Sequence, residues 1–328
     1  MFDPFIAHVD YITDPERSPD PIGFLLDALA QPGSLLLIGA GMVVVLAWVL
    51  AWAWWRPMEA PRMRFIERAS TYLDYLPWMV RLSMGLVLIG AGLSRVRFMP
   101  TIATGELFAL MLTGTGFLLL LGLAVRPAAL VALGAFVVTL VAHPELVLML
   151  DVAGGLALVA VLGPGRPSLD DLLRAAFPRG PGARVATENL APGRFDDTVP
   201  LLVRLGLGGA FVASGIVDKI LIYDQDLVVV DRYHLTTLVP VSPELWVIGA
   251  SLIETMLGMA ILFGVLTRFS AAVGFAVLTL ALMALPGDPV IAHVGLFGLS
   301  SMLVILGGGR WSLDRAVLAP LGERLRAR

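Results

Sequence analysis

A single carboxylate, Glu254, interrupts an apolar run that extends from residue 244 to 265. It lies about ten residues into that run, near the middle of a bilayer if the run crosses one. A carboxyl at that depth is costly, and it must be protonated, paired or open to a polar cavity. Two readings follow: a proton or ligand site, or a hydrogen bond that ties two helices. Lys219, the only lysine, ends the preceding apolar run beside Asp218, and the two read as snorkelling termini. Arg204 stands one turn into the other end of that run. His293 lies one turn into the last apolar run, either as a hydrogen-bonded packing residue or as a ligand-binding one. Asp151 occupies a comparable depth earlier in the chain. Groups of this kind hold and move protons.

Other chemistries are excluded by residue type. No cysteine is present, which removes disulfides, thiol redox chemistry, thiolate-bound zinc and iron–sulfur clusters. His8, His143 and His234 fall outside the apolar runs or at their ends, so no facing pair of histidines is available for haem, and no metal-ligand spacing occurs. Gly39-Ala40-Gly41 and Gly90-Ala91-Gly92 echo a dinucleotide fingerprint, but lie inside apolar runs without a strand before them.

The elements that position these groups are membrane helices. The chain has 328 residues, 58% of them hydrophobic and 15% charged, with a mean hydropathy of +0.85. This composition is that of an integral membrane protein. The net charge of -3 gives nucleic acid no footing. Residues 1–33 are acidic and lack the basic stretch of a cleavable signal, so they are expected to stay as an extracytoplasmic segment. A run from Ser34 to Trp55 is long enough to span, with Ser34 as its N-cap and Trp48, Trp52, Trp54 and Trp55 as an interfacial belt.

Eight further spans are expected near 77–95, 104–124, 127–143, 146–163, 200–219, 244–265, 269–285 and 290–307. They form two sets of four, because the chain ends twice in the same way. Gly163-Pro164-Gly165-Arg166-Pro167-Ser168-Leu169-Asp170 closes the first set and Gly307-Gly308-Gly309-Arg310-Trp311-Ser312-Leu313-Asp314 the second. Arg81 then aligns with Arg204, Gly85 with Gly208, Gly92 with Gly215, Gly116 with Gly258, and Arg126 with Arg268. Such self-similarity reads as an internal duplication. The copies also differ: the first lacks an equivalent of Lys219, and Asp151 corresponds to Gly295. Glu254 corresponds to Leu112, and the second copy carries an insertion around Tyr223–His234 that is expected to form a flap. Ser242-Pro243-Glu244 after it is a helix start. Ser168 is expected to cap a short amphipathic interfacial helix.

The expected architecture is therefore all-α and integral to the membrane: two tandem parallel four-helix transmembrane bundles (77–177 and 200–317) plus one N-terminal transmembrane helix (34–56), about nine spans. A cytoplasmic loop (57–76), a cytoplasmic linker (178–199) and a basic tail (318–328) join and end them. Arginines set the orientation. Arg56, Arg62, Arg64, Arg68, Arg126, Arg166, Arg268, Arg310 and those of the linker and tail would share one side, against Arg17, Arg95, Arg97, Lys219 and Arg232 on the other. This places the N-terminus outside and the C-terminus in the cytoplasm of a multi-pass cell-membrane protein.

The second copy resembles the DoxX family of small four-helix membrane proteins. The resemblance rests on Arg204-Leu205-Gly206 with Gly215 and Lys219, on Glu254 followed by Gly258, Gly264 and Thr267-Arg268, and on Gly307 through Asp314. The first copy resembles a degenerate version that keeps Arg81, Gly92, Arg126 and the closing motif. The N-terminal span lies outside the resemblance, which implies a quinone-interacting subunit of a membrane redox system, akin to the DoxD-like subunits of thiosulfate:quinone oxidoreductase. On that reading Glu254 is the catalytic proton group, and Arg204 and Lys219 are ligand-binding; His293 joins them as a ligand-binding candidate from its position alone. Quinone is the expected cofactor, with no metal, and the lipid bilayer and a partner redox subunit are the expected partners. The alternative is a non-enzymatic scaffold, assembly factor or small-solute permease.

Overall fold

A computed structural model describes residues 18–31, 33–54, 59–177, 197–285 and 290–326. Most of the N-terminal segment, the linker 178–196, residues 55–58 and the last two residues of the tail lie outside the described residues, as do the side chains of the tryptophan belt.

In chain order the helices are α1 (Pro21–Ala30), α2 (Ser34–Trp54), α3 (Glu59–Ser70) and α4 (Leu76–Leu93), then a hairpin of β1 (Val96–Arg97) and β2 (Met99–Ala103). There follow α5 (Glu106–Leu121), α6 (Val125–Ala142), α7 (Leu150–Leu162), α8 (Leu169–Ala176) and α9 (Thr198–Ala213). A π-helical segment, Ser214–Leu221, extends α9. Then come α10 (Tyr223–Arg232), α11 (Pro243–Phe263), α12 (Thr267–Ala284), α13 (Val290–Leu306) and α14 (Ala319–Arg326). Among the described residues six helical stretches are long and apolar enough to cross a bilayer: Leu73–Leu93, Val125–Ala142, Pro144–Leu162, Thr198–Leu221, Pro243–Phe263 and Thr267–Ala284. Every expected span falls on a helix, but α5 and α13, at 16 and 17 residues, are shorter than expected. At about 1.5 Å per residue they fall short of a ~30 Å hydrocarbon layer.

The all-α expectation is corrected at one place. Among the described residues the fold is helical except for the β1–β2 hairpin, paired antiparallel with Val96 opposite Ala103. Its Phe98, Met99 and Ile102 are buried, and Phe98 meets the rings of Phe108 and Phe136 edge-on. Their apolar packing makes a strand pair of the loop between the spans expected at 77–95 and 104–124. The Ser34 hydroxyl donates to the carbonyls of Leu29 and Gln31, tying α2 to the end of α1.

The two halves share one core. A single apolar cluster runs from Leu76 through Leu156 and Leu207 to Leu303. The first helix of each half packs on the last helix of the other, α4 on α13 and α9 on α7. At the α7–α9 crossing, Gly154 and Gly206 meet backbone to backbone: a Cβ on Gly154 would lie 2.6 Å from the Gly206 Cα. Small residues let membrane helices approach where no hydrophobic drive is available.

The two closing motifs gather at one end of the helices, the arginine end, opposite the flap end that carries the hairpin and α10. Both motifs do the same work. Asp170 accepts from the N–H groups of Ala124 and Val125 at the start of α6, at 2.9 and 3.2 Å. Asp314 accepts from Leu266 and Thr267 N–H at the start of α12, at 2.6 and 2.8 Å, and from the Thr267 hydroxyl at 2.7 Å. Each aspartate is thus a remote N-cap for the third helix of its own half, a role its sequence position did not reveal. Ser168 caps α8, accepting from Asp171 N–H at 3.1 Å. Asp314→Ala is expected to cost about 1–2 kcal/mol, the worth of a lost N-cap, and Asp170→Ala somewhat less. Thermal unfolding of the purified variants in detergent checks this, and two unchanged midpoints would refute the capping role.

Candidate functional site

The site begins with glycines. Where α9 crosses α11, a Cβ on Gly258 would sit 2.6 Å from Val212 N, and one on Gly208 would sit 2.9 Å from the Gly258 carbonyl. The α4–α5 crossing repeats this through Gly85 and Gly116. Both crossings therefore bring one face of the second helix against the first. In α11 that face carries Ser251 and Glu254; in α5 the aligned positions are Ala109 and Leu112.

Beyond Gly215, the first helix of the second half does what α4 does not. It widens into the π-helical segment Ser214–Leu221, whereas α4 stops at Leu93. π-Helical segments recur at functional sites because they redirect side chains and release backbone groups. Ser251 donates its hydroxyl to the Gly215 carbonyl at 2.6 Å. Asp218 and Lys219, neighbours in sequence, are both buried. This corrects their reading as snorkelling termini: the π-helical stretch turns both inward.

Lys219 is the centre of the cluster. Its Nζ lies 3.1 Å from Asp218 Oδ2 and 3.1 Å from Glu254 Oε2, and 3.4 Å from the Ser214 hydroxyl. The Glu254 contact is an ion pair by distance but lacks the angles of a directed hydrogen bond. Buried Asp226, on α10, lies within electrostatic reach of the same ammonium. Three carboxyl groups therefore share one cation. The Lys219 and Asp218 side chains are 11% and 7% exposed, while Glu254 is 20% exposed. Glu254 stands next to Ile253 and near Met256, both exposed, so it borders the apolar outer face of α11.

The flap end of this half is covered. Phe24 of α1 stacks on Tyr223 of α10 with ring centroids 3.9 Å apart. Asp224 N–H donates to Ser18 Oγ at 3.1 Å, and Ser18 N–H to the Leu221 carbonyl. Gln31 meets Glu244 and Ser242 at the start of α11. Phe24, Ala28, Val229, Val230, Leu235 and Val247 form a second apolar cluster there. The insertion is thus a helix held down by the N-terminal segment. Ser242 caps α11, accepting from Leu245 N–H at 3.3 Å.

The other predicted residues stand apart. Arg204 lies fifteen residues from Lys219 along the same helix, about 22 Å at ~1.5 Å per residue. Its guanidinium donates to the carbonyls of Ile261, Leu262, Gly308 and Trp311 at 2.5–3.1 Å. Arg81 does the same in the first half, toward Pro164 and Pro167. Arg204 therefore locks the arginine end and is separated from the Lys219 cluster. His293 is buried on α13, whose main neighbours are α12, α4 and α9 rather than α11. Asp151 is buried at the junction of the halves, where a Cβ on Gly295 would lie 2.7 Å from its Oδ2. Asp226, Ser214 and Ser251 were missed, since the first comes from the insertion and the serines carry no signal of their own. Among the described residues no group of His, Asp and Glu is arranged to hold a metal ion.

Residues 199–287 match the DoxX family model. The matched stretch contains Arg204, Asp218, Lys219, Asp226 and Glu254, and stops short of His293 and the closing motif. No curated protein and no solved structure matches the chain.

Proposed function

We propose that this multi-pass membrane protein with a DoxX domain binds a quinone head group at Lys219 and Glu254, as a subunit of a membrane redox system. Its nine helices would cross the bilayer as two tandem parallel four-helix units plus α2, with the N-terminus outside and the C-terminus cytoplasmic. The observation that carries the reading is the ion pair between Lys219 and Glu254 at the border of a lipid-facing surface. Ionisable groups at that depth mark ligand and proton paths. The residues fit the group: an ammonium and the Ser214 hydroxyl to donate to carbonyl oxygens, a carboxyl to exchange protons, and an exposed apolar flank for an isoprenoid tail.

A bound quinone would supply the electron-accepting chemistry, and its electrons would come from a partner redox subunit. The chain's own part is to hold the head group, exclude water and exchange the protons. Asp218, Asp226 and Glu254 exceed the single lysine in charge, which suits a site that loads protons. The α1–α10 cover closes the flap end and leaves the lipid side as the entry.

Purified protein in detergent is expected to bind a quinone analogue saturably. Glu254→Gln should weaken binding about tenfold, the loss of one charge-assisted hydrogen bond, and Glu254→Leu should abolish it while the helix content persists. No binding by the wild type, with Glu254→Leu altering only the unfolding midpoint, would sink the reading. It would leave the structural alternative of a scaffold, assembly factor or permease, which the engagement of Lys219 by two carboxylates favours.

A further inference from the structure

A groove of about 520 Å³ opens at the arginine end, between α3, α12 and α13. It does not reach Glu254, whose helix contributes none of its wall. Phe65, Arg68, Ala69 and Tyr72 recur at the i, i+3, i+4 and i+7 spacing of one helical face, continued past the end of α3. Ala272 and Phe275 of α12 form the opposite side, and Val304 and Ile305 from the last turns of α13 close it. The Ser301 hydroxyl donates to the Phe297 carbonyl within its own helix, so it asks nothing of a ligand. The wall is apolar save for one charge, Arg68, which is exposed.

The depth of the groove follows from its residues. Ile305 is one residue from the end of α13, and Arg268 at the start of α12 donates to the carbonyls of Val304, Ile305 and Leu306. This is where helices leave the hydrocarbon layer, and Arg68 stands at that level. An apolar slot in the layer with a cation at its mouth is complementary to a lipid chain bearing an anionic head.

We infer that the α3–α12–α13 groove binds an anionic phospholipid, with an acyl chain along Phe65, Tyr72 and Phe275 and the phosphate at Arg68. The bound lipid fastens α3 to the second half. This inference is independent of the quinone site.

The test uses the full chain in detergent, titrated with dioleoylphosphatidylglycerol or dioleoylphosphatidylcholine. Retained lipid is counted by native mass spectrometry and stability is read from the unfolding midpoint. Phosphatidylglycerol is expected to bind more tightly and to raise the midpoint further. Arg68→Gln, a change at an exposed position, should weaken phosphatidylglycerol binding roughly fivefold, the effect of one basic residue at an anionic surface, and leave phosphatidylcholine unchanged. Ala272→Trp, which fills the slot, should remove both, whereas Glu254→Leu should alter neither. Equal binding of the two lipids by the wild type, a preference that survives Arg68→Gln, or displacement of the lipid by a quinone analogue would each overturn the inference.

Discussion

Lys219→Met is expected to destabilise the protein by about 3–5 kcal/mol, because it strands buried carboxylates without their cation. Asp218 and Glu254 each lie 3.1 Å from the lysine Nζ, and Asp226 is close behind. The double change Lys219→Met with Glu254→Leu should recover a large part of that loss, since an apolar pair often replaces a buried ion pair without penalty. A double-mutant cycle on unfolding midpoints measures the coupling. Quinone-analogue binding separates the two roles of the pair. The double variant should be folded yet unable to bind. A folded double variant that still binds would remove the pair from the site, and a single variant as stable as the wild type would show that the ion pair contributes little.

Arg204→Ala is the second large effect. The side chain holds four backbone carbonyls from the end of α11 and from the closing motif. Losing them leaves buried acceptors unpaired at about 1–3 kcal/mol each, so the variant is expected to lose at least ~4 kcal/mol and to accumulate poorly. Arg204→Lys should rescue only part, because an ammonium cannot reproduce the planar fork of donors. In whatever fraction folds, quinone-analogue affinity should match the wild type, as the residue is about 22 Å from Lys219. A stable Arg204→Ala protein with impaired binding would reverse this assignment and return Arg204 to the ligand-binding set.

The legible part of this protein came from patterns that a membrane imposes on sequence. Apolar runs of about twenty residues follow from bilayer thickness, and each expected run coincides with a helix. Aligned glycines were legible as close crossings, because only a missing side chain lets backbones meet, and Gly258 against Gly208 does so. Glu254 stood out because a carboxyl in an apolar run has a high cost. The Ser242 cap and the Ser168 cap were legible from local chemistry alone.

What escaped depends on partners distant in the chain. Asp314 caps a helix that begins 47 residues earlier, and no local signal says so. Arg204 has the composition of a ligand-binding residue, yet its partners are carbonyls up to 107 positions away. Lys219 looked like a residue reaching for water, and only the π-helical turn and the α1–α10 cover make it the centre of a buried cluster. The sequence by itself determined that the chain is a membrane protein, where its helices run and which acidic residue had to be accounted for, because hydrophobicity and helix spacing are local properties. The tertiary structure alone decided which charges meet and which merely hold helix ends, because pairing depends on which faces the crossing helices bring together.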